Sequence, residues 1–126
     1  MAAGVLGKLY RDTEIIIKQG EPGDCMYVVQ QGLVEIIRET DQGDVHLALR
    51  GEGEFFGEMA IFEREVRSAT VRALGEARVL TIDKKNLLRR LHEDPSLAFH
   101  LVQSMSARIR ELSAEVSLLQ IERYGS

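Results

Sequence analysis

Phe56-Gly57-Glu58-Met59-Ala60-Ile61-Phe62, followed after a short charged stretch by Arg67-Ser68-Ala69-Thr70-Val71, is the part of the chain whose reading decides the rest. Met59-Ala60-Ile61 reads as one helical turn, whose free backbone N–H groups favour negative charge. Arg67 can offer a planar fork of N–H donors to phosphate oxygens, and Ser68 can add a hydroxyl. Gly57 allows a close approach where a Cβ would collide. Glu58 has the wrong sign for a phosphate and suits a sugar hydroxyl better. Each residue also has a bland reading. Arg67 would be a solvated arginine beside Glu63, Arg64 and Glu65, and Glu58 a carboxylate placed favourably at a helix start. Neither bland reading accounts for both segments standing at this spacing.

The two segments resemble the phosphate-binding cassette of cyclic nucleotide-binding domains, whose pattern is F-G-E-[LM]-[AG]-[LI], a short variable loop, and R-[ST]-A-[TS]-V. Every position is matched, and Gly20 to Tyr27 is similar to the family's G-E-x-G-D-x-[ML]-[YF] stretch. The resemblance covers nearly the whole chain. It implies that Arg67, Ser68 and the backbone N–H of Ala69 cradle a cyclic phosphate. It also implies that Glu58 accepts the ribose 2′-OH and that Phe56, Gly57, Met59 and Ala60 complete the cassette. Resemblance to the family's bacterial transcription regulators places Ile36 and Leu47 on the apolar wall beside the purine. In those regulators a hydroxyl pair on the long helix contacts the base. Leu112 and Ser113 stand at the matching positions, so only Ser113 keeps that role. A serine after Arg67 favours cAMP over cGMP, since cGMP-selective members often carry threonine there.

The 126 residues give room for one domain, 44% of them hydrophobic and 29% charged, as in an ordinary globular protein. A net charge of −4 argues against nucleic-acid binding through the bulk surface, which needs clustered Lys and Arg. The single cysteine, Cys25, excludes an internal disulfide and any four-thiolate metal site. It reads as a small residue in a turn. Residues 1–7 lack the basic start of a signal peptide, and no apolar run approaches the roughly 18 residues of a membrane span. The expected location is the cytoplasm.

Along the chain, Lys8 to Tyr10 and Glu14 to Lys18 read as short strands, the second carrying Ile15-Ile16-Ile17. Gln19 to Asp24 is dense in turn formers. Met26 to Gln31 and Leu33 to Arg38 read as two strands, and in the family the intervening Gly32 makes a tight turn. Asp41-Gln42-Gly43-Asp44 signals a hairpin returning through Val45 to Leu49. Thr70 to Ala73 and Arg78 to Ile82 add two more strands. Strands at this spacing predict a sandwich or barrel, and the resemblance narrows this to a mainly β fold, a jelly-roll β-roll over 8–82 with a short cassette helix. C-terminal helices follow over 83–124, a short one capped by Asp83 and a long one from about Pro95 to 122 capped by Asp94. Met105, Ile109, Leu112, Val116 and Leu119 recur at 4-3-4-3 spacing on that long helix and predict a dimer seam.

The expected function is a non-catalytic cyclic-nucleotide sensor that relays binding through its C-terminal helix, as a homodimer, with no metal, cofactor or direct DNA contact. The effector, and whether the chain belongs to a larger protein, are not readable from it. A jelly-roll enzyme of cupin type would need a metal-binding histidine set, and His46, His92 and His100 form no such spacing. A dimerising scaffold of the same fold that has lost its ligand is the stronger alternative, against which Glu58 and Arg67 stand intact.

Overall fold

In the computed structural model, which describes the backbone of residues 6–63 and 66–123 and the side chains of 6–61 and 66–110, six strands precede two helices. The strands are β1 (Lys8–Tyr10), β2 (Ile15–Ile17), β3 (Cys25–Thr40), β4 (Gly43–Arg50), β5 (Phe55–Phe56) and β6 (Thr70–Asp83). Helix α1 (Met59–Glu63) lies between β5 and β6, and α2 (Lys84–Glu93) and α3 (Ser96–Arg123) follow. The chain divides between Leu88 and Arg89 into two units.

The first unit is an antiparallel sheet in the order β1-β6-β3-β4, with β2 also pairing β6 and β5 pairing β3. This is the β-roll the sequence predicts. Its two long strands correct the finer reading, because β3 runs unbroken through Gly32 and β6 unbroken through Gly75. Gly32 takes φ 84° and Gly75 φ 74°, values that glycine adopts without a Cβ penalty. The ladder between the strands shifts register between Val29 and Gln31 and again between Gln31 and Leu33. Gly32 is therefore part of a bulge that bends one strand rather than a turn that joins two. A Cβ there would stand 2.3 Å from the Glu76 carbonyl oxygen, so the two strands can only pass this closely at glycine.

The bends let both faces of β3 be covered, which is why Met26-Tyr27-Val28-Val29 is apolar without alternation. Tyr10, Ile17, Val29, Val34, Phe56, Val71 and Val79 form one buried cluster, with Tyr27 and Ile36 packed against it. Met26, Val28 and Ile82 are buried as well, as are Ala60 and Ile61 of α1, which lies against β3. β5 is a strand the sequence reading did not separate from the cassette. It pairs Phe55 and Phe56 with Val28 and Tyr27, and so seats the cassette on the core.

Both predicted helix caps are present. The Asp83 carboxylate accepts from Asn86 N–H at 2.7 Å, and that of Asp94 accepts from Ser96 N–H at 3.1 Å. Helix α3 starts at Ser96, one residue after the predicted Pro95, and its end at Arg123 matches the reading closely. Met105 is half-buried and Ile109 exposed on this helix. The side chains of Leu112, Ser113, Val116 and Leu119 lie outside the described residues.

Candidate functional site

The R-S-A-T segment owes its position to Gln19–Pro22, which runs beside it. Gly20 N–H donates to the Arg67 carbonyl at 2.9 Å, and Arg67 N–H donates to the Glu21 carbonyl at 2.9 Å. Pro22 and Val66 continue the contact as an antiparallel bridge. Arg67 is thus fixed at both ends of its own backbone before its side chain is considered.

The side chain is fixed too. Nη1 donates to the Gly57 carbonyl at 2.8 Å and Nη2 to the Cys25 carbonyl at 2.7 Å. The guanidinium carbon lies 5.8 Å from the centre of the Tyr27 ring, within cation–π range. The Nε–H and the second N–H of Nη1 have no partner among the described residues, so the fork is anchored yet keeps donors for an anion. Two glycines make the space. At Gly57, with φ 72°, a Cβ would stand 2.8 Å from Nη1, and at Gly23 one would stand 2.1 Å from Nε. The close approach expected at Gly57 therefore exists, and what approaches is the arginine of the same motif. Gly23, inside the matched Gly20–Tyr27 stretch, was not singled out in the sequence, and its reason is the same guanidinium.

Tyr27 supports the arginine from below the cassette. Its ring stacks on Phe56 at 5.1 Å between centroids and 11° between planes, and its hydroxyl accepts from the Cys25 thiol at 3.4 Å. Burial first, then that hydrogen bond, raises the phenol's pKa above its ordinary value of 10.0, so Tyr27 is neutral at any physiological pH. Beside Arg67 an open recess of about 180 Å³ is lined by Ile16, Lys18, Glu21, Asp24 and Cys25 among others.

The remaining cassette residues fall into three groups. Phe56, Glu58 and Ala60 are buried, while Met59 and Ser68 are exposed and Gly57 and Ala69 half-buried. Phe56 belongs to the core cluster, so its contribution is to hold Gly57 and Glu58 in place. The Glu58 carbonyl accepts from Ile61 N–H at 3.1 Å, which opens helix α1. Glu58 and Arg67 are brought to one place, since the Arg67–Gly57 bond is made next to Glu58 in the chain.

Ile36 and Leu47 are neighbours across hairpin β3–β4. Ile36 faces Ala48 and Ile37 faces His46, leaving Leu47 as the extra residue of a bulge. Ile36 packs against the core cluster, and Leu47 is 44% exposed. His46 bonds Glu35 at 2.8 Å, and Arg72 bonds the same carboxylate at 2.9 Å. Among the described residues no group of three or more His, Cys, Asp or Glu could hold a metal ion, and no helix is long and apolar enough to cross a membrane.

Comparison with known proteins agrees with the fold. The model of the cyclic nucleotide-binding domain matches residues 8–94. The cyclic AMP receptor protein of Thermus thermophilus is 33% identical over 116 residues, 91% of this chain and 54% of that protein. The type II regulatory subunit of the cAMP-dependent protein kinase of Drosophila melanogaster is 36% identical over 75 residues, 60% of this chain and 20% of that one. Among solved structures, the catabolite activator protein of Thermus thermophilus superposes with a TM-score of 0.78 at 33% identity, over 91% of this chain and 55% of that one. The chain therefore spans about half the length of the receptor protein and a fifth of the kinase subunit. It belongs to the cyclic nucleotide-binding domain family.

Proposed function

We propose that the chain is a non-catalytic sensor module that binds a cyclic nucleotide, cAMP in preference to cGMP, and relays occupancy through its C-terminal helix. The observation that carries this is the 2.8 Å bond from Arg67 Nη1 to the Gly57 carbonyl. It closes the two halves of the cassette on one another and leaves an arginine with spare donors beside a buried glutamate. In this reading Arg67, the Ser68 hydroxyl and the Ala69 N–H receive the cyclic phosphate. Glu58 accepts from the ribose 2′-OH, and Ile36 and Leu47 flank the base.

Support for the ligand class comes from relatives. The Thermus protein is named for cyclic AMP. An EAL enzyme that aligns over 91% of this chain, and 31% of its own, with TM-score 0.62 and 33% identity, has been solved in a cAMP-bound and a cGMP-bound form. Ser68 after the arginine suits cAMP. Dimerisation through α3 is favoured by the exposure of Phe99, Val102 and Ile109, three apolar residues on one stripe of the helix. A scaffold of the same fold that has lost its ligand is the second reading, and the anchored Arg67 speaks against it.

Displacement of a fluorescent cAMP analogue tests the assignment. Unlabelled cAMP is expected to displace it best, cGMP less well and linear AMP least, because the cassette is read as a cradle for a cyclic phosphate. Equal displacement by linear AMP would mean the cassette does not read the phosphate ring. Light scattering at micromolar concentration is expected to show a dimer, and a monomer with and without ligand would remove the seam. Gel shifts with random duplex DNA at moderate salt are expected to show nothing.

A further inference from the structure

The last residue of the R-S-A-T segment has no role in the reading above, yet it is the most completely enclosed polar group described. Thr70 is 0% exposed. Its hydroxyl accepts from Gln19 N–H at 3.0 Å and donates to Glu39 Oε2 at 3.0 Å. Both functions of a hydroxyl are thereby used.

The two partners come from different parts of the roll. Gln19 follows β2, directly before the residues that hold the Arg67 backbone. Glu39 is the penultimate residue of β3, at the tip of the hairpin that carries Ile36 and Leu47. Gln19 and Glu39 are joined in their own right. The Gln19 side chain accepts from Glu39 N–H at 2.8 Å and donates to the Glu39 carbonyl at 3.0 Å, so a side-chain amide imitates one rung of a β ladder. Lys18 Nζ closes the set on the Glu39 carboxylate at 2.7 and 2.9 Å.

We propose that Thr70 and Glu39 are positioning residues of the nucleotide site, the Thr70 hydroxyl tying the phosphate loop Arg67–Ala69 to the tip of hairpin β3–β4 through the Glu39 carboxylate. The proposal rests on the reading that Arg67–Ala69 receives the cyclic phosphate. The link joins the two ends of the candidate site, since the loop holds the phosphate donors and the hairpin the apolar residues beside the base. A network in which every member is satisfied holds one geometry. Removing the hydroxyl leaves the half-buried Gln19 N–H without its partner and takes one donor from the Glu39 carboxylate, which keeps Lys18.

The test is titration with cAMP of the parent and of Thr70→Val, Thr70→Ser, Glu39→Ala and the double variant Thr70→Val/Glu39→Ala, each first checked for folding by circular dichroism. Valine keeps the volume and loses both bonds, so Thr70→Val is expected to weaken binding about tenfold, while Thr70→Ser stays within about twofold of the parent. Glu39→Ala, which removes the acceptor altogether, is expected to cost about threefold, and the double variant no more than Thr70→Val alone, because both changes break one link. A threonine that acts apart from Glu39 would give additive losses. Additive losses, or a Thr70→Ser variant as weak as Thr70→Val, overturn the proposal. Should Thr70→Val not fold, Glu39→Ala decides, since the Glu39 side chain is 35% exposed, and parental affinity there counts against the link. If both variants bind like the parent while Arg67→Ala does not, the proposal fails and the site reading stands. A parent that binds neither cAMP nor cGMP removes both.

Discussion

Arg67 is held through its backbone by Gly20 and Glu21 and through its side chain by Gly57 and Cys25, whereas Leu47 is the extra residue of a bulge and 44% exposed. The end of the candidate site that would meet the phosphate is built before any ligand arrives. The end that would meet the base is an open hairpin face. Preorganised donors cost little to use when a charged group binds, while an exposed apolar wall contributes only the area that the ligand covers. A site of this kind takes affinity from the phosphate and leaves base selectivity weak, which is how one scaffold can come to accept two cyclic nucleotides.

Mutations can break that contrast, and the largest effect should fall on the arginine. Arg67→Ala removes charge-assisted bonds worth roughly 1.5–3 kcal/mol, so cAMP affinity in a titration should fall by about one to two decades. Gly23→Ala tests the same point from the side. The atoms nearest the new Cβ would be those of the guanidinium, so about a tenfold loss of affinity should come with a melting temperature close to the parent's. A folded Gly23→Ala protein with parental affinity would show that the position of the guanidinium is immaterial. Glu58→Ala should cost about tenfold for cAMP and markedly less for 2′-deoxy-cAMP, which lacks the hydroxyl it is read to bind.

The base end should respond weakly. Leu47→Ala should change affinity by about twofold to fivefold and shift the cAMP-to-cGMP ratio more than Arg67→Ala does. Should it cost as much as Arg67→Ala, the contrast between the two ends would collapse. The smallest effect concerns the outer face of the hairpin. Hydrogen bonds from His46 first and Arg72 second lower the Glu35 pKa from its ordinary 4.5. A depressed carboxylate contributes stability that is complete above the unfolded value and is lost as pH falls through the folded one. Melting temperature should therefore drop below about pH 4.5 in the parent, and less steeply in Glu35→Gln.

What the sequence made legible follows the range of the interactions. The hairpin turn at Asp41–Gly43 and the caps at Asp83 and Asp94 rest on residues a few positions apart, and local chemistry sufficed to place them, while the cassette is read from its resemblance to the family. Gly32 was read as a turn because a lone glycine between apolar runs looks the same in a turn and in a bulge. The choice depends on Glu76, whose carbonyl fills the space beside it. Phe56 reads with the cassette and Phe55 takes no place in the sequence reading, since a strand of two residues leaves no period to detect. Thr70 was visible as a motif letter only, for its partners Gln19 and Glu39 stand 51 and 31 residues away. The reason for Gly23 was hidden likewise, behind an arginine that reaches it only in the folded chain.

The most direct measurement is isothermal titration of the purified chain, freed of any co-purified nucleotide, first with cAMP and then with cGMP. The account predicts one site per chain with micromolar or tighter affinity for cAMP and weaker binding of cGMP. A folded, nucleotide-free protein that binds neither would contradict it, and would leave a β-roll whose anchored arginine serves the fold alone.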